Sequence, residues 1–165
     1  MLAATGSVAA GVIEGRVIEV PDGATLTILS REGASIHRVR LAGIEAPGKG
    51  LAIGGSSRES LRRMASGKSV RIEANSIDAR GLLIAIVQIL RSPTHRGSHP
   101  CAPPIDPVLG QISAGLARLD KANMSIYPEE TQRLYAIAEG QAKASRRGVW
   151  REGEAAREGA VALSR

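Results

Sequence analysis

The 165 residues are enough for one domain with a hydrophobic core, which must be aliphatic because only 2% of the residues are aromatic. The formal net charge of +6 favours a polyanionic partner such as nucleic acid, although a solvated basic surface would have the same balance. The single cysteine, Cys101, excludes an internal disulfide, and no apolar run reaches membrane-spanning length.

The two ends of the chain are predicted to lie outside the domain, which we expect to span residues 11–150. Residues 1–10 are small and apolar like the end of a signal peptide, but they lack a basic start and a long apolar centre. They are therefore either a truncated leader of a secreted or periplasmic protein or the flexible terminus of a cytoplasmic one. Residues 151–165 repeat Arg-Glu-Gly and predict a flexible tail.

Three antiparallel strands are predicted at the start of the domain, at residues 12–20, 24–30 and 35–42. Proline and glycine separate the first two, and a short hairpin loop separates the second and third. In the third strand, the residues that share one face are His37, Val39 and Leu41.

A loop and a helix follow these strands. Residues 47–56 are rich in Gly and Ser and predict a mobile loop. Ser56 and Glu59 have the spacing of a capping box, which predicts a helix from Ser56 to about Ser66. The residues expected to face inward are Leu61, Met64 and Ala65.

The second half of the chain predicts two strands and two helices. Alternating residues at 68–74 and the apolar run at 81–90 predict the fourth and fifth strands. Helices are predicted at 107–119 and at Glu129–Arg147, with Trp150 anchoring the end of the second one. The inward side chains expected in that last helix are Leu134, Ile137, Ala138 and Ala142.

This order of elements predicts an α+β fold, a five-stranded OB-type β-barrel with three helices. The excursion at 91–107 is rich in proline and carries His95, His99 and Cys101. Their spacing would allow them to approach a metal, but three such residues in a proline-rich loop are weak evidence, and an ordinary surface loop is the favoured interpretation.

Several motifs carry a resemblance to one family, and they occur in order between about residues 15 and 150. They are Val20–Thr25, Val39–Gly48, Asp78–Ala85, Gly115–Ala117, Ala138–Lys143 and Gly148–Trp150. The corresponding family patterns are V-x-D-G-D-T, V-R-L-x-G-I-D-A-P-E, D-x-Y-G-R-x-L-A, G-L-A, A-E-x-x-A-K and G-x-W. The chain thus resembles the staphylococcal nuclease, or thermonuclease-like, family.

The resemblance implies an enzyme that hydrolyses phosphodiester bonds in single-stranded DNA or RNA with Ca²⁺. In such an enzyme, acidic groups hold the metal and two arginines stabilise the charge that builds on the phosphate. Arg40 matches one of these arginines, and Glu45 stands where an Asp ligates calcium. Asp22 is the remaining acidic candidate for metal binding. A plainer role for Arg40 is an ion pair with Glu45, and for Asp22 it is the shaping of its own turn.

The other functional positions of the family are substituted. Ala24 replaces the second ligating Asp, and Gly48 replaces the Glu that positions or activates water. Leu82 replaces the second arginine, although a shifted alignment would put Arg80 there. The tyrosines on the substrate side become Lys121 and Asn123.

A basic patch is predicted around the first helix and fourth strand. Its residues are Arg58, Arg62, Arg63, Lys68 and Arg71, and Arg80 and Lys121 are further candidates for polyanion binding. The same residues would also suit a plain solvated face.

Two functions follow from this comparison. The first is a catalytically inactive domain, a pseudoenzyme, that binds a polyanion or a protein and needs no cofactor. The second is a weak Ca²⁺-dependent nuclease that uses Arg40, Glu45 and Asp22. Loss of a positioned acid–base group typically costs about 10²–10⁴ in rate, and loss of one charge-stabilising donor about 10²–10³, which favours the first.

Overall fold

The computed structural model of the chain describes residues 11–91 and 103–151. The expectations for residues 1–10, for His95, His99 and Cys101, and for the tail after Arg151 lie outside the described residues. The domain limits therefore stay a prediction.

Five strands close into a barrel, as the sequence predicted. They are β1 (Val12–Asp22), β2 (Thr25–Ser30), β3 (Ile36–Leu41), β5 (Ser69–Ile77) and β6 (Leu83–Ile89). Their order around the barrel is β1-β2-β3-β6-β5, and every pair is antiparallel except β3 with β6. A separate two-stranded pair joins β4 (Ile44–Glu45) to β7 (Arg118–Leu119). Closure leaves no free edge in the barrel itself.

Three helices pack on the barrel, which confirms the α+β OB-type fold. They are α1 (Ala52–Ala65), α2 (Pro107–Ser113) and α3 (Glu129–Ala144). Short 3₁₀ turns occupy Lys121–Asn123 and Gly148–Trp150. Within the described ranges, no helix combines the length and the apolar composition needed to cross a membrane.

The core is aliphatic, because alternate side chains of each strand point into the barrel. Leu26, Val39 and Ile72 are fully buried there, and Leu61 of α1 closes one side. Two buried tyrosines add aromatic rings to this core: Tyr127 and Tyr135, the second on the inner face of α3. Their rings meet edge to face, with 5.2 Å between the centroids.

The first helix begins earlier than predicted, and the predicted capping box is wrong. The helix starts at Ala52, so Ser56 lies inside it, and Glu59 instead forms an ion pair with Arg62 at 2.8 Å. Gly54 permits this early start because its backbone lies so close to the carbonyl of Gly48 that any Cβ would clash. Tertiary contact here outweighs the low helix propensity of glycine.

The second helix is shorter than predicted. It begins at Pro107 and is capped by Asp106, whose carboxylate accepts hydrogen bonds from the N–H groups of Val108 and Leu109. It ends at Ser113 because Gly115 adopts a positive φ of 69°, which ends a helix readily. Leu119, expected on the helix, lies in β7.

The third helix buries a different face from the predicted one. Ala138 and Ala142 face inward as expected, but Leu134 and Ile137 are 48% and 59% exposed, and Tyr135 takes the buried position. Trp150 does anchor the end of this helix, because the Lys143 ammonium lies 4.4 Å from the centre of its ring.

Candidate functional site

A cavity of about 160 Å³ opens where β2, β3 and the loop before α1 meet. Its lining residues are Asp22, Ala24, Thr25, Arg40, Ala46, Pro47, Gly48, Lys49 and Arg80. Four positions that the sequence singled out as a family site therefore come together here: residues 22, 24, 40 and 48. Arg80 joins them from the turn between β5 and β6.

Arg40 reaches the cavity because of the alternation along β3. Its neighbours Val39 and Leu41 point into the core, so Arg40 points outward and is half-buried. The strand register places it beside Thr25 of β2 and Ile84 of β6. The Leu41 N–H donates to the carbonyl of Ala24 at 2.8 Å, which joins the two walls of the cavity next to this arginine.

Arg80 is positioned by the carboxylate of Asp78. One oxygen of Asp78 accepts the backbone N–H of Arg80 at 2.8 Å and that of Leu82 at 2.9 Å. The pKa of Asp78 lies below its ordinary value despite partial desolvation. The largest cause is the hydrogen bond from the Leu82 N–H, and the Arg80 N–H and the positive charges of Arg80 and Arg40 contribute less. The ionised carboxylate thus fixes the turn that carries Arg80.

Leu82 does not line the cavity but is buried, with 7% of its surface exposed. The next residues enter the barrel, where Leu83 and Ala85 pair with Val39 and Leu41. Of the two positions considered for the second arginine, residue 80 therefore lies in the same cavity as Arg40 and residue 82 does not.

The acidic residues are not gathered as a metal cage. Among the described residues that line the cavity, Asp22 supplies the one carboxylate, and its Oδ1 accepts the Ala24 N–H at 2.9 Å, which shapes the turn. Ala24 and Gly48 have no side-chain oxygen. Across the two described ranges, no group of three or more His, Cys, Asp or Glu side chains is placed to hold a metal ion. Since Ca²⁺ takes about six to eight oxygens, these residues do not fit it.

Glu45 lies outside this cavity, and the ion pair predicted between Arg40 and Glu45 is not among those that the described residues form. The chain turns at Gly43 with a φ of 78°, which carries Glu45 into β4 opposite Arg118. Glu45 instead lines a neighbouring depression of about 310 Å³, which also contacts Arg40 and Asp78.

One of the two positions that the resemblance places on the substrate side lies at this second depression. Asn123 lines it, and its amide donates to Asp120 at 2.6 Å. Asp120 also accepts the Ala122 N–H at 3.1 Å, which caps the short 3₁₀ turn. Lys121 is exposed on that turn and is not part of the lining. None of the described residues that line the depression is aromatic, so they offer bases no stacking platform.

The basic patch is distinct from the cavity. Arg58 donates to the carbonyl of Val20 at 2.9 Å, and Arg62 is paired with Glu59, so both stabilise local structure. Arg62 and Arg63 lie in the last turn of α1, and a helix rises about 1.5 Å per residue, which puts Arg62 roughly 15 Å from the cavity end of that helix. Lys68 and Arg71 follow in the next turn and strand.

Lys49 is the lining residue that the sequence did not reveal. It stands after Gly48 in a stretch without any motif of its own, and nothing in the pattern distinguishes it from other surface lysines. With Lys49, three cationic side chains and one carboxylate among the described residues line the cavity. The Arg80 guanidinium also lies 3.6 Å from Oδ2 of Asp78, outside the lining, and the remaining excess of positive charge suits the cavity to an anion.

Comparison with known proteins identifies the family of the chain. The family model described as "Staphylococcal nuclease homologue" matches residues 38–152. A protein of Haemophilus influenzae named "Uncharacterized endonuclease" is 39% identical over 72 residues, which are 44% of this chain. The match covers 40% of that relative's length. The match of the family model over most of the chain and the closed barrel with three helices lead to one conclusion: the chain belongs to the family of staphylococcal nuclease homologues.

Proposed function

We propose that this nuclease-family domain binds the phosphodiester backbone of single-stranded nucleic acid in the cavity lined by Arg40, Lys49 and Arg80, without hydrolysing it. One observation carries the proposal: two arginines and a lysine line a cavity to which, among the described residues, one carboxylate belongs. Guanidinium groups bind phosphate with paired, charge-assisted hydrogen bonds.

The pattern of retained and lost side chains supports binding without turnover. Positive groups that attract a phosphate are present, whereas Ala24 and Gly48 cannot hold a metal or activate water. Losing the positioned base alone costs about 10²–10⁴ in rate. Recognition would rest on the backbone rather than the bases, because the described residues that line the neighbouring depression include no aromatic side chain.

Weak phosphodiester hydrolysis is the second candidate. It is favoured by the presence of Asp22 beside Arg40 and Arg80 in one cavity, since a carboxylate and two guanidiniums are part of what phosphoryl chemistry requires. The Haemophilus influenzae relative is named an endonuclease, which also points to this chemistry.

The two candidates are separated by measuring binding and cleavage on the same labelled single-stranded oligonucleotide. Fluorescence anisotropy gives the Kd, and a gel of the products after incubation with Ca²⁺ gives the turnover. We expect binding without cleavage, and a roughly tenfold weaker Kd for Arg40→Ala, as for the loss of one charge-assisted contact.

Arg133→Ala is the matched control, because Arg133 lies on α3, is 78% exposed and pairs with Glu129 outside the cavity. It should bind like the wild type. Clear Ca²⁺-dependent turnover that Arg40→Ala abolishes would instead establish the nuclease. Equal losses in the two arginine variants would contradict the assignment of the cavity.

A further inference from the structure

A buried glutamine connects the turn at the cavity to two helices. Gln111 of α2 is fully buried, and its amide nitrogen donates to the carbonyl of Gly23 at 2.7 Å and to that of Ser57 at 2.9 Å. The Ser57 hydroxyl lies 3.2 Å from the same nitrogen. One side chain thus joins α1, α2 and the β1–β2 turn, which are far apart in sequence.

The serine in this group is itself fixed. Ser57 of α1 is fully buried, and its hydroxyl donates to the carbonyl of Leu116 at 2.7 Å. The Gly23 backbone lies directly against this serine, so that a Cβ at position 23 would clash with it and would come within 3.1 Å of the Ala46 Cβ. Gly23 is therefore held in two ways: its backbone packs against Ser57, and its carbonyl accepts a hydrogen bond from the amide of Gln111.

The orientation of the amide is determined by its partners. The two carbonyl oxygens need a donor, and only the nitrogen of the amide can provide one. The opposite atom, Oε1 of Gln111, is buried and has no hydrogen-bond partner in the part of the chain that the structure describes. Leaving a buried polar atom unpaired costs free energy. The orientation that directs the nitrogen at these carbonyls therefore indicates that the contact to Gly23 contributes to the structure of the turn.

Gly23 stands between two residues that line the cavity. Asp22 precedes it, Ala24 follows it, and the Ala24 carbonyl accepts the N–H of Leu41 next to Arg40. A shift of the Gly23 carbonyl would move this wall of the cavity relative to Arg40. We propose that Gln111 is a positioning residue that holds the Asp22–Thr25 turn in the geometry required for anion binding. The effect on binding rests on the function proposed above.

The test uses Gln111→Met, which keeps the length and removes the donor. Two quantities are measured: the exchange rate of the Ala24 amide hydrogen, which reports the turn without any ligand, and the Kd for the single-stranded oligonucleotide. Because the Ala24 N–H donates to Asp22 within the turn, we expect its exchange to accelerate at least tenfold beyond the change in global stability. The Kd should rise several-fold.

Tyr135→Phe is the matched control for the loss of a buried hydrogen bond. The hydroxyl of Tyr135 donates to Asp106 at 2.6 Å, at the start of α2, and neither residue lines the cavity. This variant should be destabilised but should leave the Ala24 exchange, corrected for global stability, and the Kd unchanged. If Gln111→Met does not fold, Gln111→Asn retains the amide on an arm one methylene shorter, which cannot reach both carbonyls, and the same two changes are expected.

Each outcome decides the matter. Ala24 exchange that changes only as much as global stability would overturn the positioning role. If the wild type binds the oligonucleotide and Gln111→Met accelerates Ala24 exchange without changing the Kd, the turn does not control binding. That result would overturn the inference while leaving the proposed function intact. Faster exchange in a protein that binds no oligonucleotide would uphold the role of Gln111 in the turn and refute the proposed function.

Discussion

Gly43, in the motif that carries Arg40, offers a quantitative test of how the site is built. Its φ is 78°, a conformation that side chains with a Cβ rarely adopt. A Cβ at this position would also lie 2.8 Å from the sulfur of Met124 and 3.0 Å from the ring of Tyr127. Gly43→Ala therefore combines backbone strain with overpacking.

The magnitude follows from these two contributions. The left-handed conformation costs about 1–2 kcal/mol, and overpacking in a dense core about 1–3 kcal/mol. The sulfur of Met124 can move, but the ring of Tyr127 is held by its hydroxyl, which donates to the carbonyl of Ala42 at 3.0 Å. We expect Gly43→Ala to lower the free energy of unfolding by about 2–5 kcal/mol, a large part of the roughly 5–15 kcal/mol typical of a domain.

Urea unfolding at fixed pH measures this loss, and two other glycines calibrate it. Gly81 has nearly the same φ, 79°, but open space where its Cβ would lie, so Gly81→Ala should lose only about 1–2 kcal/mol. Gly140, in α3 with open space and an ordinary φ, should gain about 0.5–1 kcal/mol as alanine. Equal losses for Gly43→Ala and Gly81→Ala would refute the packing argument.

Three further outcomes are expected. The Glu139 carboxylate is disfavoured by burial, but the Leu119 N–H and Lys143 more than offset this, so its pKa lies below the ordinary 4.5. Urea unfolding should show that the wild type has a larger free energy of unfolding than Glu139→Gln. This difference should have its full value above about pH 4.5 and disappear as the pH falls through the lowered pKa, and a difference that does not vary with pH would contradict the assignment. The double variant Ala24→Asp/Gly48→Glu should bind Ca²⁺ more tightly than the wild type in calorimetry, and an unchanged affinity would argue against these positions as the missing ligands. Leu61→Ala should cost about 2–5 kcal/mol in urea unfolding and Leu134→Ala less than about 0.5 kcal/mol, because the first is fully buried and the second is 48% exposed; similar losses would mean that α3 buries the face predicted from the sequence.

The barrel could be predicted because its strands alternate clearly and its motifs occur at family spacing. The parallel contact of β3 with β6 that closes it joins residues more than forty positions apart, such as Arg40 and Ile84, and no local pattern shows such a pairing. Helix boundaries were harder to predict for a related reason. Gly54 lowers helix propensity, yet its close contact with Gly48 makes glycine the residue that fits inside the first turn.

The buried face of α3 was mispredicted because the helix carries apolar residues around much of its circumference. Leu134, Tyr135, Ile137 and Ala138 satisfy more than one helical stripe, and periodicity does not choose between them. The tertiary contact of Tyr135 with Tyr127 and Asp106 selects the face.

Strand positions and turns contribute differently to the candidate site. The outward direction of Arg40 follows from the alternation along β3, whereas Ala24 was singled out only by its place in the Val20–Thr25 motif. An ion pair of Glu45 with Arg40 was considered, but the turn at Gly43 places Glu45 in the neighbouring depression, which Arg40 also lines, and no such pair is found among the described residues. Arg80 lines the cavity because the Asp78 carboxylate accepts its backbone N–H and fixes the turn, a side-chain interaction that spacing alone does not reveal.

The most direct test of the central claim is the salt dependence of oligonucleotide binding. Each phosphate neutralised on a single strand contributes about −0.7 to the slope of log K against log salt concentration. The double variant Arg40→Ala/Arg80→Ala should therefore have a slope shallower by about 1.4, whereas Arg63→Ala/Arg71→Ala, in the basic patch, should keep the slope of the wild type. If the slope is unchanged in the cavity variant and shallower in the patch variant, the nucleic acid binds at the patch, which would contradict the central claim. A wild-type affinity that does not vary with salt concentration would point to a protein partner instead.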